Sequence, residues 1–168
     1  MPAIVTLDAK SKALIERIDK ELARYPNAPA TLRRGEIAAV DSALTALLKY
    51  AVRWLCDQEQ VNPDVEMQRA AKANSLAKAT AGQTIQLLGS LSRTTAARRP
   101  EVQLLCKEAS QRNSRLQKFV NLRNDAVHDE SPPPNPTVVL PALQSLRNVI
   151  SSYRRAAGFD AQRSTGVA

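Results

Sequence analysis

Aromatic residues, histidine and cysteine are scarce in this sequence. Aromatic side chains make up 4% of the 168 residues and do not alternate with basic ones, so a base-stacking platform for single strands is not indicated. One histidine and two cysteines without a CxxC spacing argue against a transition-metal site within one chain. We expect Cys56 and Cys106 to be buried structural thiols.

Membrane and common enzyme patterns are also missing. No apolar run approaches the ~18 residues of a membrane-spanning helix. The N-terminus has no basic segment followed by an apolar one, so no secretory signal is visible, and we expect a cytoplasmic protein without a membrane partner. A glycine-rich phosphate loop, HExxH and GxSxG are absent, which argues against the enzyme classes that these motifs mark.

The residues that are present predict an all-α fold. The chain has 43% apolar residues, only five glycines and no alternating run of Val, Ile and Thr. Its length suits one domain spanning 1–168. Apolar residues recur every three or four positions between breaks, which predicts an up-and-down bundle of about five helices. These segments cover about 8–25, 35–60, 64–91, 101–128 and 137–157.

Single residues refine this prediction. Asn62 and Pro63 suit the N-cap and first position of the third helix, and Gly82 predicts a kink or break within it. Gly158 is expected to end the fifth helix, and a loose tail is expected over 159–168. We interpret Trp54 as core packing rather than as a surface that stacks on a ligand.

Positive charge is concentrated in the second half of the chain. The net charge is +8, and residues 85–168 carry 12 basic and 6 acidic side chains, against 12 and 10 in residues 1–84. This excess could attract a polyanion, or it could simply keep helix surfaces soluble. Eight basic residues lie between 93 and 123, namely Arg93, Arg98, Arg99, Lys107, Arg112, Arg115, Lys118 and Arg123.

These basic residues lead into the stretch that holds the single histidine. Arg123 and Asn124 follow Val120 by three and four positions, so they continue the apolar face of the fourth predicted helix. Burying a guanidinium or an amide on such a face lowers the stability of the fold unless the group has a partner. We therefore expect Arg123 and Asn124 to have partners or a function.

Arg123, Asn124 and His128 form a pattern that resembles the signature of HEPN-domain proteins. In that family an arginine, a polar residue, three variable residues and a histidine end a long helix of an all-α domain. The resemblance covers roughly residues 8 to 157, including the Thr84-to-Leu91 segment that precedes the signature helix. Position 130 is Glu rather than tyrosine, so a nucleotidyltransferase partner that modifies such a tyrosine is not implied.

The resemblance implies a homodimeric endoribonuclease without metal or cofactor, commonly a toxin or defence effector with an antitoxin or defence-system partner. His128 would exchange protons with the ribose 2′-hydroxyl or the departing 5′-oxygen, because its ordinary pKa is about 6.5. Arg123 would hold the scissile phosphate, and Asn124 would orient that phosphate or the ring of His128. Attack by the 2′-hydroxyl would leave a cyclic phosphate and spare DNA.

Helix geometry favours a site shared by two copies. Five residues at 100° each place Arg123 and His128 about 140° apart on an ideal helix, so one straight helix does not bring them to one face. A two-fold pairing of the signature helices would gather both arginines and both histidines in one cleft. Arg112, Arg115 and Lys118 would then flank that cleft and bind the RNA backbone.

Two other functions are consistent with the same residues. In a noncatalytic HEPN-like module that binds a protein partner, Arg123 would pair with a carboxylate such as Asp125 or Asp41, and His128 would cap its helix. The other possibility is a basic bundle that binds RNA and DNA alike without cleaving either.

Overall fold

The computed structural model describes residues 2–24, 34–112, 114–127 and 136–160. Side chains are described within these ranges except at 2–5, 24, 34–36, 101, 125–127 and 136–137. The described residues form an all-helical bundle without strands, as the composition predicts. Its helices are α1 (Pro2–Arg24), α2 (Arg34–Gln58), α3 (Pro63–Ala71), α4 (Ala81–Leu91), α5 (Pro100–Ser110), α6 (Arg115–Val127) and α7 (Pro136–Ala156), with a short 3-10 turn at Ala96–Arg98.

The predicted number of about five helices is too low, because two of the predicted segments are each divided. The third segment ends as a helix at Ala71, where Lys72 takes a left-handed conformation with φ of 54°. The chain becomes helical again at Ala81, after Thr80 and Gln83 form a reciprocal capping box. The break therefore covers residues 72–80, and Gly82 lies inside α4 rather than at the break.

The fourth predicted segment is divided in the same way. Helix α5 ends at Ser110, and the buried Ser114 caps α6 by accepting a hydrogen bond from the Gln117 amide at 3.1 Å. The predicted apolar stripe survives the division, because Val102, Leu105 and Phe119 are all fully buried. Arg123 and Asn124 consequently stand on a 13-residue helix rather than on a long one.

Other predicted helix ends are confirmed or corrected. Asn62 caps α3 by accepting from the Asp64 amide at 2.9 Å, and Pro63 is the first residue of that helix, as predicted. Helix α1 begins at Pro2 rather than near Asp8. Gly158, with φ of 79°, follows the end of α7 and accommodates a left-handed turn, also as predicted.

Phe159 and Asp160, the first two residues of the loose tail that we expected, contact α7 instead. The Phe159 ring packs edge-to-face on Tyr153 with centroids 5.9 Å apart. Asp160 accepts a hydrogen bond from Arg154 Nη2 at 2.8 Å. These contacts tie the first two residues of the predicted tail to α7, and residues 161–168 lie outside the described part.

The helices pack around one core, and α2 contacts several of the other helices there. Helix α1 lies against α2 and α7, while α2 also contacts α4 and α6, and α6 contacts α7. Trp54 and both cysteines are buried in this core, as predicted. Among the described helices, none combines the length and apolarity that crossing a membrane requires.

Candidate functional site

An open cleft of about 650 Å3 lies between α2, α6 and the start of α4. Small residues such as Ala38, Ser42 and Ala46 on α2 leave room there, since larger side chains would close the gap to α6. The polar residues around the cleft are Asp41, Ser42, Thr45 and Lys49 of α2, Thr80 before α4, and Arg123 and Asn124 of α6.

Arg123 reaches this cleft from the last two turns of α6. Its Nε lies 3.2 Å from Asp41 Oδ2 in an ion pair, and its Nη1 donates to Asn124 Oδ1 at 3.1 Å. The side chain is 36% exposed, so it stands at the edge of the core rather than inside it. Asp41 thus fixes one edge of the guanidinium, while the rest of the group borders the cleft.

Asp41 is the most buried charged residue of the cleft. It is 9% exposed, and its Oδ1 has no hydrogen-bond partner in the described part of the chain. Burial raises the pKa of its carboxyl above the ordinary 3.8, although the neighbouring Arg123 guanidinium opposes this shift. One carboxylate oxygen is therefore left unsatisfied beside the cleft, which costs stability unless a donor reaches it.

A second cation, Lys49, also lines the cleft. Lys49 Nζ donates to the Ala77 carbonyl at 2.7 Å, which joins α2 to the segment before α4. Burial, followed by repulsion from Arg53, lowers the pKa of this ammonium. The first turn of α4 also borders the cleft, since Thr80 caps the helix and Ala81 and Gly82 are lining residues. The lining therefore carries two cations, Arg123 and Lys49, beside one carboxylate, Asp41.

The predicted catalytic residues are only partly within the described chain. Arg123 and Asn124 are brought together at the cleft. They were expected on the apolar face, yet Asn124 is exposed and Arg123 is half-buried, because α6 passes the edge of the core here. Helix α6 is described through Val127, so the prediction for His128 lies outside the described residues, as does the side chain of Asp125.

The predicted nucleic-acid-binding residues stand elsewhere on the surface. Arg115 pairs with Glu108 at 3.0 Å, and Arg112 and Lys118 are exposed. None of these three is among the residues lining the cleft of Arg123. Their role in flanking a site between two copies stays a prediction.

Sequence reasoning missed Lys49 and Thr80 as parts of this site. Both residues join Arg123 only through tertiary packing, about 40 to 75 positions away in the chain. Asp41, in contrast, carries a visible signal, because it interrupts the apolar face of α2 between Val40 and Leu44. It was one of two carboxylates that we considered as partners of Arg123, and the ion pair is observed.

The described residues do not favour a metal site or a reactive cysteine. These contain no group of three or more His, Cys, Asp and Glu side chains that could hold a metal ion. Burial raises the pKa of the Cys56 thiol to about 11 and that of Cys106 to about 12. Neither thiol therefore forms an appreciable fraction of thiolate, the nucleophilic form, at neutral pH.

Comparison with known proteins found no matching family model, no matching curated protein and no matching solved structure. The HEPN resemblance therefore stays a prediction from residues 123–128, and the geometry of the cleft is the basis for the functional inference.

Proposed function

We propose that this protein is a metal-independent endoribonuclease of the toxin or defence type, working as a homodimer. The observation that carries the proposal is the shared position of Arg123 and Asn124. They stand side by side on an open cleft that also holds Lys49 and the start of α4. Cations and helix N-termini attract phosphate groups, so this cleft suits a backbone phosphate of RNA.

Arg123 is suited to stabilise the charge of the reacting phosphate. Its ion pair with Asp41 engages Nε, and the residue lines the cleft. A guanidinium fixed in advance loses little freedom when phosphate binds, and it can donate two parallel hydrogen bonds. Asn124 accepts from Nη1, which orients the guanidinium further. We therefore assign Arg123 to the phosphate and Asn124 to positioning.

His128 is assigned the proton transfers in this proposal. As a base, it takes the proton of the 2′-hydroxyl while that oxygen attacks the phosphorus. The bond from phosphorus to the 5′-oxygen breaks, and an imidazolium gives its proton to the leaving oxygen. The products are a 2′,3′-cyclic phosphate and a free 5′-hydroxyl, so no water or metal is consumed in this step.

Two copies of the chain supply the acid and the base together. One ideal helix separates Arg123 and His128 by about 140°, and two helices related by a two-fold axis would offer each phosphate both residue types. Two imidazoles in one cleft would let one act as the base while the other acts as the acid. Activity should accordingly depend on protein concentration in the range where the dimer dissociates.

The decisive experiment incubates purified protein with single-stranded RNA in excess EDTA. We expect cleavage by the wild type, products ending in cyclic phosphate, and no cleavage of RNA whose 2′-hydroxyls are replaced by hydrogen. His128→Ala, purified in parallel, should lose the activity and keep the wild-type melting temperature. Undiminished cleavage by His128→Ala would show that the activity belongs to a contaminant or to another site.

A noncatalytic HEPN-like module is the second candidate function. The ion pair between Arg123 and Asp41 favours it, because this contact gives the arginine a structural partner within its own chain. A protein that forms dimers yet leaves RNA intact at every pH from 5 to 9 would support this candidate. The third candidate, a basic bundle without turnover, would retain RNA and DNA equally at low salt.

A further inference from the structure

A second groove of about 480 Å3 lies on the other side of α2, against α1. Three of its lining residues are basic, namely Lys10, Arg17 and Lys20 of α1. Glu16 is the single carboxylate among its described lining residues. The groove is therefore a basic surface, although it lies in the half of the chain with the smaller net charge.

The acidic residues of α1 explain why the groove is basic. Asp19 pairs with Arg147 of α7, and Asp8 pairs with Arg154 of the same helix. These contacts direct two carboxylates of α1 toward α7, on the side away from the groove. Near the groove, Lys10 lies over the Tyr50 ring at 5.4 Å, and Arg53 lies over that ring at 5.8 Å. Because Arg53 and Lys10 lie over the same ring, Arg53 is a fourth cation near the groove.

The two depressions share lining residues on α2. Ser42 and Ala46 line both the groove and the cleft of Arg123. These residues are one helical turn apart, and their small side chains form a low ridge between the depressions. A chain lying in the groove can therefore cross α2 without meeting a large side chain at these positions.

We infer that the groove between α1 and α2 binds backbone phosphates of the same RNA strand whose scissile phosphate occupies the cleft of Arg123. The inference rests on the proposed function, since it extends that site. Lys10 and Lys20 are about 15 Å apart along α1, with Arg17 between them, so the groove spans several phosphates rather than one. The charges contact the backbone and not base edges, so binding here is independent of sequence.

This inference competes with the surface that the sequence suggested. Arg112, Arg115 and Lys118 were expected to guide the backbone, but none of them lines either depression, and Arg115 is paired with Glu108. The two surfaces can be compared with double substitutions that remove the same charge. Lys10→Gln with Lys20→Gln tests the groove, and Arg112→Gln with Lys118→Gln tests the other surface.

The experiment measures binding of a labelled single-stranded RNA by anisotropy across a series of salt concentrations. The probe carries 2′-fluoro groups, which cannot attack phosphorus, so binding is observed without cleavage. Lys72→Gln with Lys107→Gln is the matched control, because both lysines are exposed and line neither depression. Melting temperatures of all variants establish that they are folded.

We expect Lys10→Gln/Lys20→Gln to bind roughly tenfold more weakly at 0.1 M salt and to lower the salt slope by about 1.4, or 0.7 for each lost phosphate contact. The control should stay within about twofold of the wild type, where no phosphate contact is lost. Equal losses in all three double variants would overturn the inference, since they would reflect net charge alone. A larger loss in Arg112→Gln/Lys118→Gln would overturn it in favour of the other surface.

The proposed function and the groove can fail separately. A wild-type protein that binds the probe but does not cleave ordinary RNA loses the ribonuclease assignment, and the same salt slopes still decide whether the groove binds RNA. If the wild type cleaves RNA and Lys10→Gln/Lys20→Gln binds the probe as well as the wild type does, only the role of the groove in binding RNA is rejected. A wild type that does not bind the probe at all would overturn both.

Discussion

Arg154 and Arg123 are two paired arginines in very different surroundings. Arg154 is 4% exposed and sits where α1, α7 and the residues after α7 meet. It contacts the carboxylates of Asp8 and Asp160 and donates to Ser11 Oγ at 3.1 Å. Among the described side chains Arg123 has one carboxylate partner, Asp41, and it borders an open cleft.

The difference between them separates a structural cation from a candidate functional one. The groups around Arg154 satisfy the guanidinium on several sides and leave no space for a ligand. At Arg123 the geometry is incomplete, because the cleft is open and Asp41 Oδ1 has no hydrogen-bond partner among the described residues. The open cleft gives a ligand access to the Arg123 guanidinium, whereas the unsatisfied carboxylate oxygen is an acceptor that would receive a donor and not a phosphate oxygen.

The largest effect on stability is expected from Arg154→Met. Removing one member of a buried ion pair costs about 3 to 5 kcal/mol, and we expect about 2 to 3 kcal/mol here because Asp8 and Asp160 are partly exposed. Urea unfolding followed by circular dichroism measures this change. A loss no larger than that caused by Arg123→Met would show that the two arginines do not differ in their structural role.

Arg123→Met should show the opposite balance between stability and activity. Its ion pair lies at the edge of the core, but removing it leaves the buried Asp41 carboxylate without its cation, so we expect a loss of about 1 to 2 kcal/mol, smaller than at Arg154. Removing a cation that stabilises the reacting phosphate should slow RNA cleavage by about 100-fold or more. Arg69→Met is the matched control, because Arg69 pairs with Glu66 at 3.3 Å on the remote α3. Equal cleavage by both variants would assign Arg123 a structural role only.

Much of the fold could be predicted from the sequence. The all-α class, the buried Trp54 and the cap at Asn62 follow from composition and local pattern. The break before α6, which was not predicted, and the break before α4, which was predicted at Gly82, also had a local signal. Thr80 and Ser114 each precede a glutamine by three positions, which is the spacing of a capping box, but continuous apolar periodicity outweighed it in the prediction.

The candidate site is less predictable than the fold for a physical reason. Arg123 and Asn124 are adjacent in sequence, so a local pattern identifies them. Lys49 and Thr80 reach the same cleft because α2 packs against both α4 and α6, which depends on long-range contacts. The groove beside α1 was missed because net charge pointed to the other half of the chain, while pairing of Asp8 and Asp19 with α7 decides the local charge.

The smallest and most specific effect is expected from Asp41→Asn. Burial raises the pKa of Asp41 above 3.8, so the folded state binds a proton more readily than the unfolded state. The wild type therefore loses stability as pH rises through the folded pKa, because the buried carboxyl must then ionise. An asparagine at this position does not ionise and so avoids the cost of burying a charge, although it also lacks the attraction to Arg123.

We accordingly expect Asp41→Asn to melt close to the wild type below about pH 3.8, where the carboxyl is protonated in both states, and higher than the wild type once pH has risen through the raised pKa of Asp41 in the folded state. Melting temperatures measured across this range test the sign of the effect. The opposite trend would mean that attraction to Arg123 outweighs burial, and that the cleft holds a stabilising ion pair like the one at Arg154. Asp41→Asn could show the expected trend and also cleave RNA more slowly than the wild type. Asp41 would then lower the stability of the fold while positioning Arg123, as residues of functional sites often do.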